Sequence, residues 1–178
     1  MAFNDQFKFE IRQYFTPAVR YDGVACGSRG HSVPYFGTDE DRTEKGKHYG
    51  YQKDGKQFAA RDVVFDGDTL TMDLAPAYGE AFVSRVLRTF TLGERGFTLR
   101  DEFDVEADVP VTERFVFPAP FALEDGKAVG DGVVLTFDPT LYEASASEGD
   151  FKPEETVYFL DLRLKAGVRV ADVTVSVE

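Results

Sequence analysis

The chain has 178 residues, 43 % of them hydrophobic with seventeen Phe and eight Tyr, enough for one packed domain over residues 1–178. Its net charge of −12 is uneven: ten Lys/Arg face eight Asp/Glu in residues 1–61, and ten face twenty-four in residues 62–178. Such an acidic body argues against nucleic acid and anionic membranes as partners, and no run approaches the roughly 18 apolar residues of a membrane helix.

Met1–Gln6 shows neither the basic nor the apolar stretch of a secretion signal, and a domain cut from a secreted parent would look the same, so localisation stays open. Phe7, Phe9 and Ile11 alternate with Lys8, Glu10 and Arg12, the period of a half-buried strand. The lone cysteine, Cys26, excludes an internal disulfide and a thiolate metal cage; beside Val24 and Ala25 it reads as a small buried hydrophobe. After Pro34, residues 37–50 are highly charged and aperiodic, which predicts a mobile surface loop.

Two hairpins follow. Asp66-Gly67 is a turn signal that sets Phe65 opposite Leu70 and Val63 opposite Met72, with a bulge expected where the alternation slips at Arg61-Asp62. Leu70, Met72 and Leu74 continue the strand, and Pro76–Glu80 suits a single helical turn. The second hairpin turns at Gly93–Gly96 and pairs Leu92 with Phe97, Phe90 with Leu99, Arg88 with Asp101 and Val86 with Phe103. Opposite charges then meet within an apolar face, where an unpaired charge is costly, so an Arg88–Asp101 ion pair is expected. Its structural reading outweighs a catalytic one. Residues 144–153 read as a second soft segment; Tyr158–Leu164 and Val173–Val177 read as strands. Together these elements predict an all-β, antiparallel two-sheet β-sandwich of supersandwich or jelly-roll type.

Residues able to carry chemistry are few. His31 and His48 are the only histidines, thin for a catalytic zinc that usually takes three protein ligands, although Asp39, Glu40, Asp41 or Glu44 could complete a site. No Gly-rich phosphate loop or nucleophile elbow is present. Arg20, Arg29, Lys45, Lys47, Lys53 and Lys56 could guide an anionic glycan or be ordinary surface charge, and Tyr14, Tyr35, Tyr49 and Tyr51 are the aromatic candidates for exposure.

The segment from Arg20-Tyr21 through Ser28–Pro34, then Gln52, Gly55, Phe58 and Ala60, then Asp73-Leu74-Ala75 with Ala77-Tyr78, resembles the C-terminal β-sandwich of heparinase II/III-like polysaccharide lyases. Arg85 and Arg88, Asp101 with Phe103, and Asp161 with Leu164 extend the likeness, which is good over residues 14–105 and loose beyond. In such enzymes an α/α-toroid supplies the residues for β-elimination of uronate-containing chains such as glycosaminoglycans. An upstream His-x-His-x-x-Asp segment adds a histidine and a metal ligand. The resemblance implies that His31 would be a further ligand to zinc if an upstream segment completed the set. It also implies that Arg20, Arg29, Tyr51 and Lys53 could contact an acidic polysaccharide.

This sequence contains neither toroid nor His-x-His-x-x-Asp, and its 37–50 segment exceeds the compact turn of the family. The expectation is therefore a module with no catalytic residue of its own, working beside an α/α-toroid catalytic domain or a second copy. A stand-alone carbohydrate-binding module is the alternative. A small cupin-like metalloenzyme using His31 and His48 ranks last.

Overall fold

A computed structural model of the chain describes residues 27–45, 49–53, 55–152 and 155–178, with backbone only at 151 and 152. The strand expected at Phe7–Arg12, the burial of Cys26, and His48 all lie outside the described residues.

Among the described residues, twelve strands form two antiparallel sheets. In chain order they are β1 (Pro34–Phe36), β2 (Arg61–Asp66), β3 (Thr69–Asp73), β4 (Val83–Gly93), β5 (Gly96–Val105) and β6 (Val111–Phe117). The rest are β7 (Ala122–Glu124), β8 (Lys127–Gly130), β9 (Val133–Phe137), β10 (Tyr142–Lys152), β11 (Glu155–Leu164) and β12 (Val170–Val177). The smaller sheet runs β1-β6-β11-β10 and the larger β2-β3-β4-β5-β12-β9-β8-β7. Inward residues of both, including Phe36, Val86, Phe103, Phe115, Leu160 and Val173, form one buried apolar cluster between the layers, so the all-β sandwich holds.

The β4–β5 hairpin has the register expected from its turn: Val86 faces Phe103, Arg88 faces Asp101, Phe90 faces Leu99 and Leu92 faces Phe97. In the β2–β3 hairpin Phe65 faces Leu70, and the bulge falls where the alternation slips: Arg61 pairs with Asp73 and Val64 with Thr71. Asp62 and Val63 thus share the place opposite Met72, and Asp62 takes a φ of 53°. The half-burial implied for this hairpin fails at β2: it is an edge strand, with Val63 57 % and Phe65 69 % exposed.

Two further expectations are corrected. Within the supposed mobile loop 37–50, Asp39–Lys45 is an α-helix, α1. Thr38 and Asp41 cap it reciprocally. The Thr38 N–H donates to Asp41 Oδ2 (2.9 Å), and the Asp41 N–H donates to Thr38 Oγ1 (3.1 Å). The Thr38 N–H, then the Thr38 hydroxyl donating to the same Oδ2 (2.8 Å), hold the Asp41 carboxyl down at about 2. Ion pairs one turn apart, Asp39 with Arg42 and Asp41 with Lys45, add to the helix. The supposed soft segment 144–153 is mostly β10, paired with β11 from Tyr142↔Leu164 onward. Its small polar residues suit a sheet edge, and pairing supplies the order that composition does not.

The single turn near Pro76 is helix α2, Ala75–Tyr78, with Pro76 in its first turn. It ends at Gly79 in the left-handed region (φ 58°), where a Cβ would stand 2.9 Å from the Phe58 ring. Glycine there lets the 51–58 segment lie against α2.

Candidate functional site

Residues 27–34, 49–53 and 73–78 meet along one flank of the sandwich. Ser28–Gly30 forms a 3₁₀ turn, and the chain then runs through His31 and Ser32 into β1. Beside it lies the 49–53 stretch: Ser28 Oγ donates to the Gln52 carbonyl (3.3 Å), and the Lys53 N–H donates to Ala77 O (2.8 Å). Gln52 Nε2 reaches the Tyr78 hydroxyl at 3.5 Å, and that hydroxyl donates to Pro34 O at 2.6 Å. Gly50 makes the approach possible: a Cβ on it would lie 2.0 Å from Phe36 O.

Asp73 closes the base of this flank. Its Oδ1 accepts from the N–H groups of Ala75 (2.9 Å) and Val86 (3.1 Å), and Arg61 Nη2 pairs with Oδ2 at 2.7 Å. Burial works to raise the Asp73 carboxyl, but these donors outweigh it and leave it below the usual range.

Between the sheets, Arg88 Nε donates to Asp101 Oδ1 at 2.9 Å and Nη2 lies 2.5 Å from Asp101 Oδ2. The same Nη2 reaches Glu113 Oε2 on β6 at 3.1 Å, and Nη1 donates to Ser32 O at 3.3 Å. Arg88, Asp101 and Glu113 are 4 %, 0 % and 1 % exposed, so the cluster is closed to a substrate and acts as a fastening between layers. Burial opposes the charge on Arg88, but Asp101 and Glu113 more than restore it and raise Arg88.

On the outer face of the smaller sheet a second ion pair forms. Arg114 grips Asp161 through Nε (2.7 Å) and Nη2 (2.6 Å), and its Nη1 donates to Arg29 O (3.0 Å). Tyr35 donates its hydroxyl to Asp161 Oδ2 at 3.2 Å. The Arg114 guanidinium carbon sits 4.5 Å from the Phe159 ring centroid. Arg42 of α1 caps this face, with its guanidinium carbon 4.7 Å from the Tyr35 ring and 5.1 Å from the Tyr51 ring.

The residues singled out in the sequence fall as follows. Arg29 is exposed, with its backbone held by Arg114. Tyr51 lies next to it, but Tyr35 and Tyr51 are buried (8 % and 7 % exposed), so neither is the exposed platform expected. Packing against Arg42 and against each other, rings 5.5 Å apart, is the reason. Lys53 is tied to Glu80 (3.1 Å) and to Gly79 O (3.1 Å). Arg20 lies outside the described residues. His31 is exposed; its N–H donates to Ser28 O (3.1 Å) and its carbonyl accepts from Val33 N–H (3.0 Å). Among the described residues no group of three or more His, Cys, Asp or Glu is placed to hold a metal, so they do not complete a zinc set around His31.

Glu113, Arg114 and Arg42 were not anticipated. For Glu113 the signal was present, because Val111, Glu113, Phe115 and Phe117 form the inward face of β6. A carboxyl in that row is the same anomaly as Arg88 and Asp101 in theirs. Sequence gave no means of joining it to them, since their contact crosses between sheets.

No protein-family model matches the chain, and no curated protein sequence matches it.

Proposed function

We propose that this β-sandwich is a module of the heparinase II/III-like lyase C-terminal type, supporting or lining a cleft for a uronate-containing glycan without catalysing its cleavage. One observation carries the reading. Residues scattered through the resemblance fall into two sets of hydrogen bonds that meet on one segment, Ser28–Gln52–Tyr78–Pro34 and Ser32–Arg88–Asp101. They hold the His31-bearing segment against both sheets. The backbone of that segment is hydrogen-bonded while Arg29 and His31 are exposed, which suits a wall presented to a ligand. The Arg88–Asp101–Glu113 cluster is closed to a substrate, and in this reading an active centre would draw on residues from a partnering toroid.

Calorimetry with heparan sulfate and alginate oligosaccharides tests the reading. Binding that weakens in Arg29→Ala and Lys53→Ala is expected. Silence across both glycans overturns it. Absorbance at about 235 nm, which reports the unsaturated product of β-elimination, should stay flat with the isolated chain; a clear rise overturns the non-catalytic assignment.

A further inference from the structure

The cluster between the sheets holds an imbalance. Two carboxyls, Asp101 on β5 and Glu113 on β6, converge on one guanidinium, Arg88 on β4. Arg88 commits Nε and Nη2 to Asp101 and offers Glu113 only a share of Nη2, while Glu113 Oε1 is buried without a hydrogen-bond partner. Among the described residues, the other titratable groups facing this space are the phenols of Tyr78 on α2 and Tyr142 on β10. Burial raises both, so neither adds charge in the neutral range. One cation therefore balances one carboxylate, and a second negative charge would be stranded in a dry interior.

We propose that Glu113, packed beside Asp101 on a single guanidinium, keeps its proton at neutral pH, and that its loss to solvent base loosens the Ser28–Pro34 segment. Burial, then the charge of Asp101, push Glu113 well above the ordinary glutamate range against the pull of Arg88. The link to the segment is geometric. Glu113 stands opposite Pro34 in the β1–β6 register, Arg88 Nη1 holds Ser32 O, and the Tyr78 hydroxyl holds Pro34 O. Strand β1 is three residues long and proline donates no N–H to the ladder. Once Glu113 is ionised it competes for the whole of Arg88, and lifting this short strand is the least costly way to admit water. Alkaline pH would thereby change the wall that carries Arg29 and His31.

Full-length wild type and Glu113→Gln are unfolded in urea at steps from about pH 5 to about pH 9. The raised group keeps a proton in the folded state that the unfolded chain has lost, so stability is full below the ordinary glutamate value and declines as pH rises toward the folded value. The wild-type folding constant is expected to fall by up to about tenfold per pH unit across that interval, and the Glu113→Gln constant to stay level. Amide exchange at Ser32–Phe36, corrected for its intrinsic pH dependence, should accelerate in the wild type alone. Parallel stability curves for the two proteins overturn the proposal. Should Glu113→Gln not fold, carboxyl carbon-13 spectra of the wild type decide. The Glu113 carboxyl keeping the shift of a protonated acid at neutral pH supports the proposal, and its absence overturns it.

Discussion

Two neighbouring rows across the larger sheet show how differently one face can be used. The row Phe65–Leu70–Phe90–Leu99–Val173 is apolar throughout and lies on one face, since directly paired residues share a side. Its members pass from 69 % exposed at Phe65 to 4 % at Leu99 and 3 % at Val173. The adjacent row, Met72–Arg88–Asp101–Ala171, carries two charges, and both are as buried as those last two residues. What decides burial is where the smaller sheet lies overhead. Alternation assigns a residue to a face; coverage assigns it to the core.

The largest expected effect breaks the charged row. Arg88→Ala leaves Asp101 and Glu113 together without a cation and frees Ser32 O, and should lower the unfolding free energy in urea by about 3–5 kcal/mol. A change below about 1 kcal/mol would mean that the row is no more important than a surface pair.

Next in size come the fastenings at the flank. Tyr78→Phe keeps the ring packed edge-on against Phe36 and removes the hydroxyl from Pro34 O and Gln52 Nε2, at an expected cost of about 1–3 kcal/mol. Asp73→Asn tests the same flank through pH. Because the Asp73 carboxyl is held below its ordinary value, its contribution is present above the unfolded pKa and is lost as pH falls through the folded one. Denaturation of the variant should therefore depend less on pH on the acid side than that of the wild type.

These effects mark what was legible in the sequence. The Gly93–Gly96 turn pins the β4–β5 pairs from Gly93↔Gly96 to Arg85↔Asp104, because turn length fixes register, so Arg88 opposite Asp101 could be read directly. Contacts between layers carry no such rule, which hid Glu113 from that pair; Arg114 and Tyr35 share the smaller sheet, but their strands β6 and β1 are far apart in sequence and no short turn sets their register. The helix α1 was hidden for another reason. Its residues are all charged or polar with no apolar stripe, and none is buried, so the only marker was the Thr38-x-x-Asp41 cap. In β10, likewise, the sequence offered small polar residues, and the strand exists because β11 offers a partner over its length.

Thr38→Ala should cost about 1 kcal/mol, because it removes the side-chain acceptor for the Asp41 N–H. The loss is local: α1 would fray and Arg42 would leave the Tyr35 and Tyr51 rings. Increased tyrosine fluorescence quenching by acrylamide, with little change in the urea midpoint, would report it.

The smallest effect is expected at the open end of the apolar row. Phe65→Ser removes a large hydrophobe, which in a core would cost several kcal/mol, yet here its ring is mostly in water already. The change in unfolding free energy should stay within about 0.5 kcal/mol. Leu99→Ala, in the same row and on the same face, should cost about 2–5 kcal/mol. A similar cost at both sites would show that something covers Phe65 in solution, and the contrast between coverage and alternation would then fail at the edge of this sheet.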